Sequence, residues 1–174
     1  MKRTLHLLRH AKSSWKDAAL DDHERPLSKR GRETAKALGR YLQQEKIKPD
    51  LVVCSTAVRA TETLAPIRKK TKLRQVVMEA RIYEASQEHL WERIRAFPKN
   101  AKSVLLIGHN PALQELALEL ADADSRALFP AIEAKFPTGA MATFRFKGAW
   151  KELRPNGAAL VAFTTPKDIA REGG

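Results

Sequence analysis

Cysteine is nearly absent from this chain. The 174 residues contain one, Cys54, so no internal disulfide can form. That usage fits a reducing compartment, and a cytoplasmic location is expected. Long apolar runs are also missing. None approaches the ~20 residues that a membrane-spanning helix requires, and His6 and Arg9 interrupt the N-terminal apolar stretch before a signal-peptide core can build. No membrane contact is expected. Aromatic residues make up only 6%, and the basic segments lack the interleaved stacking platforms of single-strand binders, so no nucleic-acid partner is expected. Neither an H-E-x-x-H nor a paired Cys-x-x-Cys spacing occurs, which leaves no metal site and no cofactor in view. Internal repeats and low-complexity segments are absent too.

Acidic residues are outnumbered, 20 against 32 basic, for a net charge of +12. Part of the excess lies in the run from Arg68 to Arg74, at the end of an expected helix. There it reads first as a solvated helix end whose cations complement the helix dipole, and alternatively as a field that attracts acidic partners or phosphate-bearing substrates. The length suits one domain with a full core, spanning residues 1–174, and a monomer is expected.

Strand-like and helix-like segments alternate along the chain. Strands are expected at 4–8, 51–53, 76–78, 104–107, 141–146 and 159–165. Helices are expected at 31–44, 57–70, 87–97 and 111–121, with a loop at 13–26. This pattern predicts an α/β fold: a single three-layer domain with a mostly parallel central sheet, helices on both faces and one antiparallel strand. Residues 122–139, with Pro130 and Pro137, form the least regular stretch and serve either as a loop near the site or as a plain connection.

Three of the expected strands end in chemistry-bearing residues. The first ends in Arg9-His10, the second in Cys54-Ser55 with Arg59 four residues further on, and the fourth in Gly108-His109. Ligands of open α/β sheets bind at the carboxyl ends of the strands. Two arginines and two histidines gathered there suit a phosphate, which a guanidinium grips bidentately. Asn110 suits a helix cap and Pro111 the first helical position, which would put His109 at the positive end of a helix. Other histidines read blandly: His6 as a packed strand residue, His23 as a solvated loop residue, His89 as an exposed helical one.

The same residues carry a family resemblance. Arg9-His10-Ala11 is similar to an RHG signature, with alanine in place of glycine. Ser55-x-x-x-Arg59-Ala60-x-x-Thr63 is similar to an SxxxRAxxT element, Arg25-Pro26-Leu27-Ser28-x-x-Gly31 to a PLTxxG helix start, and Gly108-His109 to a second-histidine element. With these in order, the chain resembles the histidine phosphatase superfamily, which is phosphoglycerate mutase-like, and especially its SixA-type phosphohistidine phosphatase branch. The resemblance implies a phosphatase in which His10 is the nucleophile and becomes transiently phosphorylated. It implies that Arg9, Arg59 and His109 hold the phosphoryl group, with Ser13 as a further phosphate contact. Glu84 lies roughly where the family's carboxylate acid is found, and is a proton donor or a surface carboxylate. The implied substrate is a phosphorylated protein or a small phosphorylated molecule, and no metal is required.

Two rival readings remain. Cys54 and Arg59 form a Cys-x4-Arg spacing, but cysteine phosphatases need one more intervening residue and a glycine-bearing loop. Cys54 then reads as a small strand-end residue. Alternatively, the charge could serve a non-enzymatic phosphate- or nucleic-acid-binding module.

Overall fold

In the computed structural model, which describes residues 1–172, the sheet has six strands in the order β3-β2-β4-β1-β5-β6. They are β1 (Lys2–Arg9), β2 (Leu51–Ser55), β3 (Gln75–Glu79), β4 (Ser103–Gly108), β5 (Met141–Lys147) and β6 (Ala159–Thr164). Every pairing among the first four is parallel; β5 alone runs against its neighbours β1 and β6. The expected α/β architecture with one antiparallel strand is therefore what the chain adopts.

Period-two alternation explains the layering. Leu8, Val52, Cys54, Leu105 and Ile107 point to one face, where they pack with Leu38, Leu42, Leu64, Ile67 and Ile169. That face carries α1 (Lys29–Gln44), α2 (Val58–Lys70) and α6 (Pro166–Glu172). Leu5, Leu7, Val53, Val104 and Leu106 point to the other face, towards Leu90, Ile94, Leu113 and Leu116. That face carries α3 (Gln87–Arg95), α4 (Ala112–Leu120) and α5 (Phe129–Ala134). Because β1 and β4 are buried on both faces, they read as continuous apolar runs until their carboxyl ends.

Three features differ from the sequence reading. α6 was not expected, because its polar Lys167, Asp168, Arg171 and Glu172 leave one buried anchor, Ile169. The irregular 122–139 stretch contains α5 and a short 3-10 turn at Ala123–Ser125. Asn110 does not cap α4; its amide donates to the Phe136 carbonyl at 3.2 Å instead, and Pro111 takes the cap position without a side-chain bond. The side-chain oxygen that a cap would use is left buried without a protein partner among the described residues, because the amide nitrogen ties the side chain to the segment across the strand end.

Register brings the site together. Arg9 of β1 stands opposite Gly108 of β4, so the next residue of each strand, His10 and His109, leaves the sheet at the same edge. The start of α1 locks this edge from below. Ser28 caps the helix by accepting from the Gly31 amide at 3.0 Å. At Gly31 the approach is so close that an added Cβ would lie 2.0 Å from the Lys12 carbonyl oxygen. Only glycine lets the helix pass that backbone. Gly31→Ala should therefore destabilise the fold by about 1–3 kcal/mol, the usual cost of overpacking. It should also displace the segment after His10. Urea unfolding measures the first effect; unchanged stability would mean that Lys12 moves freely.

Candidate active site

The segment after β1 leaves the sheet with His10 buried. Its Nδ1 lies 2.7 Å from the Ala11 carbonyl oxygen, so Nδ1–H donates and the lone pair sits on Nε2. Ala11 is fully buried beside Leu27 and Ala35, and its amide donates to Thr63 Oγ1 at 3.0 Å. Its φ is not positive, so alanine fits where relatives of the resemblance carry glycine.

His109 stands beside His10, with ring centroids 5.0 Å apart. Its Nε2 is 2.7 Å from Ser55 Oγ, which also accepts from the Ala57 amide. The Ser55 hydroxyl keeps its own proton and a second lone pair, so either His109 tautomer suits this contact, and Nδ1 is the ring nitrogen it leaves free. That Nδ1 is buried without a protein partner among the described residues, as is Arg9 Nε. Arg9 is anchored by donation to the Phe136 carbonyl at 2.9 Å. Phe136 and Gly139 lie in the irregular stretch, whose Gly139 amide bonds the Arg9 and His10 carbonyls. That stretch is thus a wall of the site, not a plain connection.

Arg59 comes from the first turn of α2 and is buried, but its guanidinium is not free. It donates to the Asp22 carbonyl at 2.7 Å and to Asp22 Oδ2 at 2.9 Å. Asp22 also takes Arg25 at 2.7 Å and the Tyr83 hydroxyl. These partners, Tyr83 first and then Arg59 and Arg25, hold the Asp22 carboxyl well below the usual carboxylate range. Arg25 reaches onward to Ser13 Oγ and stacks on the Trp15 ring at 3.2 Å from its centroid. Ser13 does line the cavity, but its hydroxyl is engaged by Arg25.

Sequence reasoning missed Asp22, Arg25 as a site residue, Ser55 as a partner of His109, and Tyr83. His23 also needs correction: it is half-buried, bonded to Thr56 Oγ1 at 3.0 Å and edge-on to Tyr83. The ordered 3-10 turn at Asp22–Glu24 withdraws it from solvent. Glu84 is exposed and does not line the cavity above His10. It lines a neighbouring cleft, which shares Asp22, Arg59, His109 and Asn110 with that cavity. Cys54 is buried, and burial pushes its thiol up to about 12, so it offers no thiolate.

Electrostatics keep both imidazoles neutral. Burial, then the Arg59, Arg9 and Arg25 cations, lowers His10 to about 4. Burial, then His10 and Arg59, lowers His109 to about 3. His109 is thus neutral here and not one of the cations. Among the described residues no group of three or more His, Cys, Asp or Glu could hold a metal ion, and no helix is long and apolar enough to cross a membrane.

An imidazole with its lone pair free lies beside two guanidiniums at the carboxyl edge of an α/β sheet, an arrangement chemically suited to a phosphoryl group. Comparisons with known proteins place the chain in a family. The model of the histidine phosphatase superfamily (branch 1) matches residues 5–97. An uncharacterised protein of Mycobacterium tuberculosis is 36% identical over 162 residues, covering 92% of this chain and all of that one. A structure from Nakamurella multipartitia, provisionally called phosphohistidine phosphatase SixA, is 31% identical with a TM-score of 0.80, covering 95% of this chain and 97% of that one. Another given the same provisional name, from Agrobacterium tumefaciens, is 26% identical with a TM-score of 0.80, covering 94% and 98%. The chain belongs to the histidine phosphatase superfamily.

The lowered imidazoles make a pH prediction. Folded His6 and His10 take up a proton only near about 4, and His109 near about 3, whereas the unfolded chain binds these protons near 6.5. The unfolded state therefore holds more protons as the pH falls through that window, and stability should decline from 6.5 towards 4. NMR of the ring protons should show His10 and His109 not titrating between about pH 7.5 and 5. A midpoint near the ordinary histidine value would show that the pocket leaves its imidazoles chargeable.

Proposed function

We propose that this protein is a metal-independent phosphatase that works through a phosphohistidine on His10. The observation that carries this reading is the 2.7 Å bond from His10 Nδ1 to the Ala11 carbonyl, which fixes the Nε2 lone pair within a site walled by Arg9, Arg59 and His109. Nε2 attacks the phosphorus, an N–P bond forms, and the bond to the leaving group breaks with its electron pair. Water then attacks the phosphohistidine, the N–P bond breaks, and inorganic phosphate leaves. Arg9, Arg59 and His109, the last in its Nδ1–H tautomer, stabilise the equatorial oxygens, where charge develops. Asp22 stays ionised and holds Arg59 and Arg25 in place, so it is unsuited to giving a proton.

The substrate is a phosphohistidine protein or a small phosphomonoester. Similarity to the SixA-named structures supports the former. Position supports it too, since Glu84, the carboxylate considered as a proton donor, lies in the adjoining cleft. A protonated phosphoimidazole leaves as neutral imidazole and needs no acid, whereas an alkoxide does.

His10→Ala should abolish turnover with the fold intact by circular dichroism. Rapid quenching of the wild type should trap an acid-labile, base-stable phosphoryl group on His10, and EDTA should change nothing. Turnover by the variant, or a label elsewhere, would remove His10 from the mechanism.

Glu84→Gln separates the substrates. If Glu84 is the proton donor, the substitution should slow an alkyl phosphate by about 10²-fold and leave a phosphohistidine peptide unaffected. If both rates hold, Glu84 is a surface carboxylate. Equal losses would mean that it supports the pocket instead.

A further inference from the structure

The cavity above His10 has a volume of 690 Å³. That is the size of a site that engulfs a small organic ligand, well beyond what one phosphoryl group fills. Its outer part is lined by Lys12, Arg30, Lys135 and Lys167, which come from four separate segments: the loop after β1, α1, the turn after α5, and α6. Among the described residues none of the four has a carboxylate partner. Asp22 is the one carboxylate among the cavity's lining residues, and it is spent on Arg25, Arg59 and Tyr83. Four like charges facing one concavity repel one another, and an anion between them removes that repulsion. Trp15 stands at the same mouth, 74% exposed, with Arg25 fixed over its ring. An exposed indole held in this way offers a rigid platform for a planar ring.

The cavity holds no candidate for proton donation to an alkoxide. Asp22 is ionised, both imidazoles are neutral and Glu84 lines the other cleft. The leaving group that suits such a site is one that departs as a stable anion and is received by cations.

We propose that the outer cavity is a second phosphate subsite and that the enzyme cleaves the terminal phosphoryl group from small diphosphates, a nucleoside diphosphate being the type of molecule that fits. This rests on the His10 mechanism above and adds a further substrate class, beside the two named there, for the same site. His10 Nε2 forms a bond to the terminal phosphorus, and the bond from that phosphorus to the bridging oxygen breaks. The bridging oxygen keeps the electron pair, so the leaving group is a phosphate monoester, received by Lys12, Arg30, Lys135 and Lys167. Water then hydrolyses the phosphohistidine. One diphosphate and one water give one monophosphate and one inorganic phosphate.

The test compares ADP, AMP and p-nitrophenyl phosphate in EDTA, with wild type and the double variant Arg30→Met/Lys167→Met. p-Nitrophenyl phosphate has a good leaving group and no second anion, so it reports the His10 chemistry alone. Wild type should turn over ADP with kcat/KM at least about 100-fold above AMP. The double variant should raise the KM for ADP about tenfold and leave both constants for p-nitrophenyl phosphate unchanged. Trp15→Ala should raise the KM for ADP and leave that for inorganic pyrophosphate, which has no ring, unchanged. ADP handled no better than AMP, while p-nitrophenyl phosphate is hydrolysed, would overturn the subsite and leave the His10 mechanism standing. Equal losses on ADP and p-nitrophenyl phosphate in the double variant would also overturn it, since the cations would then act as a general field. Failure to hydrolyse any of these compounds or a phosphohistidine peptide would overturn the mechanism itself.

Discussion

The site depends on the bonds to one carboxylate. Asp22 accepts from Arg59, Arg25 and Tyr83, and it is the side chain that lets two guanidiniums sit close together at the sheet edge. Without it, Arg59 and Arg25 would face each other with no anion between them. With it, each guanidinium has a fixed direction, and Arg25 in turn aligns Ser13 and Trp15. The 3-10 turn at Asp22–Glu24 is thus a clamp between the loop after β1 and the start of α2. Its residues are half-exposed or more, yet they set the geometry of buried ones.

A second constraint follows from gathering cations around imidazoles. Burial and nearby positive charge both disfavour the imidazolium. The same cations that suit a phosphate therefore keep His10 unprotonated, as the proposed attack on phosphorus requires. The Ala11 carbonyl decides which nitrogen is free, and Ser55 does the equivalent for His109. A backbone carbonyl fixes the tautomer of His10, while a hydroxyl that both donates and accepts fixes only which nitrogen of His109 is engaged.

Much of this was legible in the sequence. β1, β2 and β4 are buried on both faces, so their apolar runs stand out, and the residues that end those runs mark the site edge. That is why Arg9, His10, Arg59 and His109 could be named before any fold was known. Gly31 was legible as a motif, but its cause, the passage of α1 over Lys12, was not. Asp22 and Tyr83 were hidden for a different reason. Their meaning lies in contacts across 37 and 61 residues of sequence, and in isolation each looks like an ordinary loop residue. Asn110 misled because its local pattern is that of a helix cap, whereas its side chain is tied to a distant carbonyl, Phe136, and its oxygen meets no helix amide. α6 was hidden because a single buried isoleucine carries no periodicity.

The division of the surface around His109 bears on which bond the site can break. Two clefts meet at Asp22, Arg59, His109 and Asn110. The neighbouring cleft adds Glu84 and Glu115 to the shared Asp22 and Arg59, while the cavity above His10 carries seven basic side chains, Arg9, Lys12, Arg25, Arg30, Arg59, Lys135 and Lys167. A substrate with negative charge on both sides of the scissile bond is repelled by the first and held by the second. Its orientation is thus fixed by charge before any specific contact forms. Under the proposed mechanism, that orientation would set a neutral His10 against the phosphorus, with guanidiniums facing the developing charge and the departing group leaving into a cationic field. Proton donation becomes unnecessary for any leaving group that is already a stable anion, and its lack penalises alkoxides alone. Selectivity between classes of phosphate is then a property of where the carboxylates are absent, as much as of where the arginines are present.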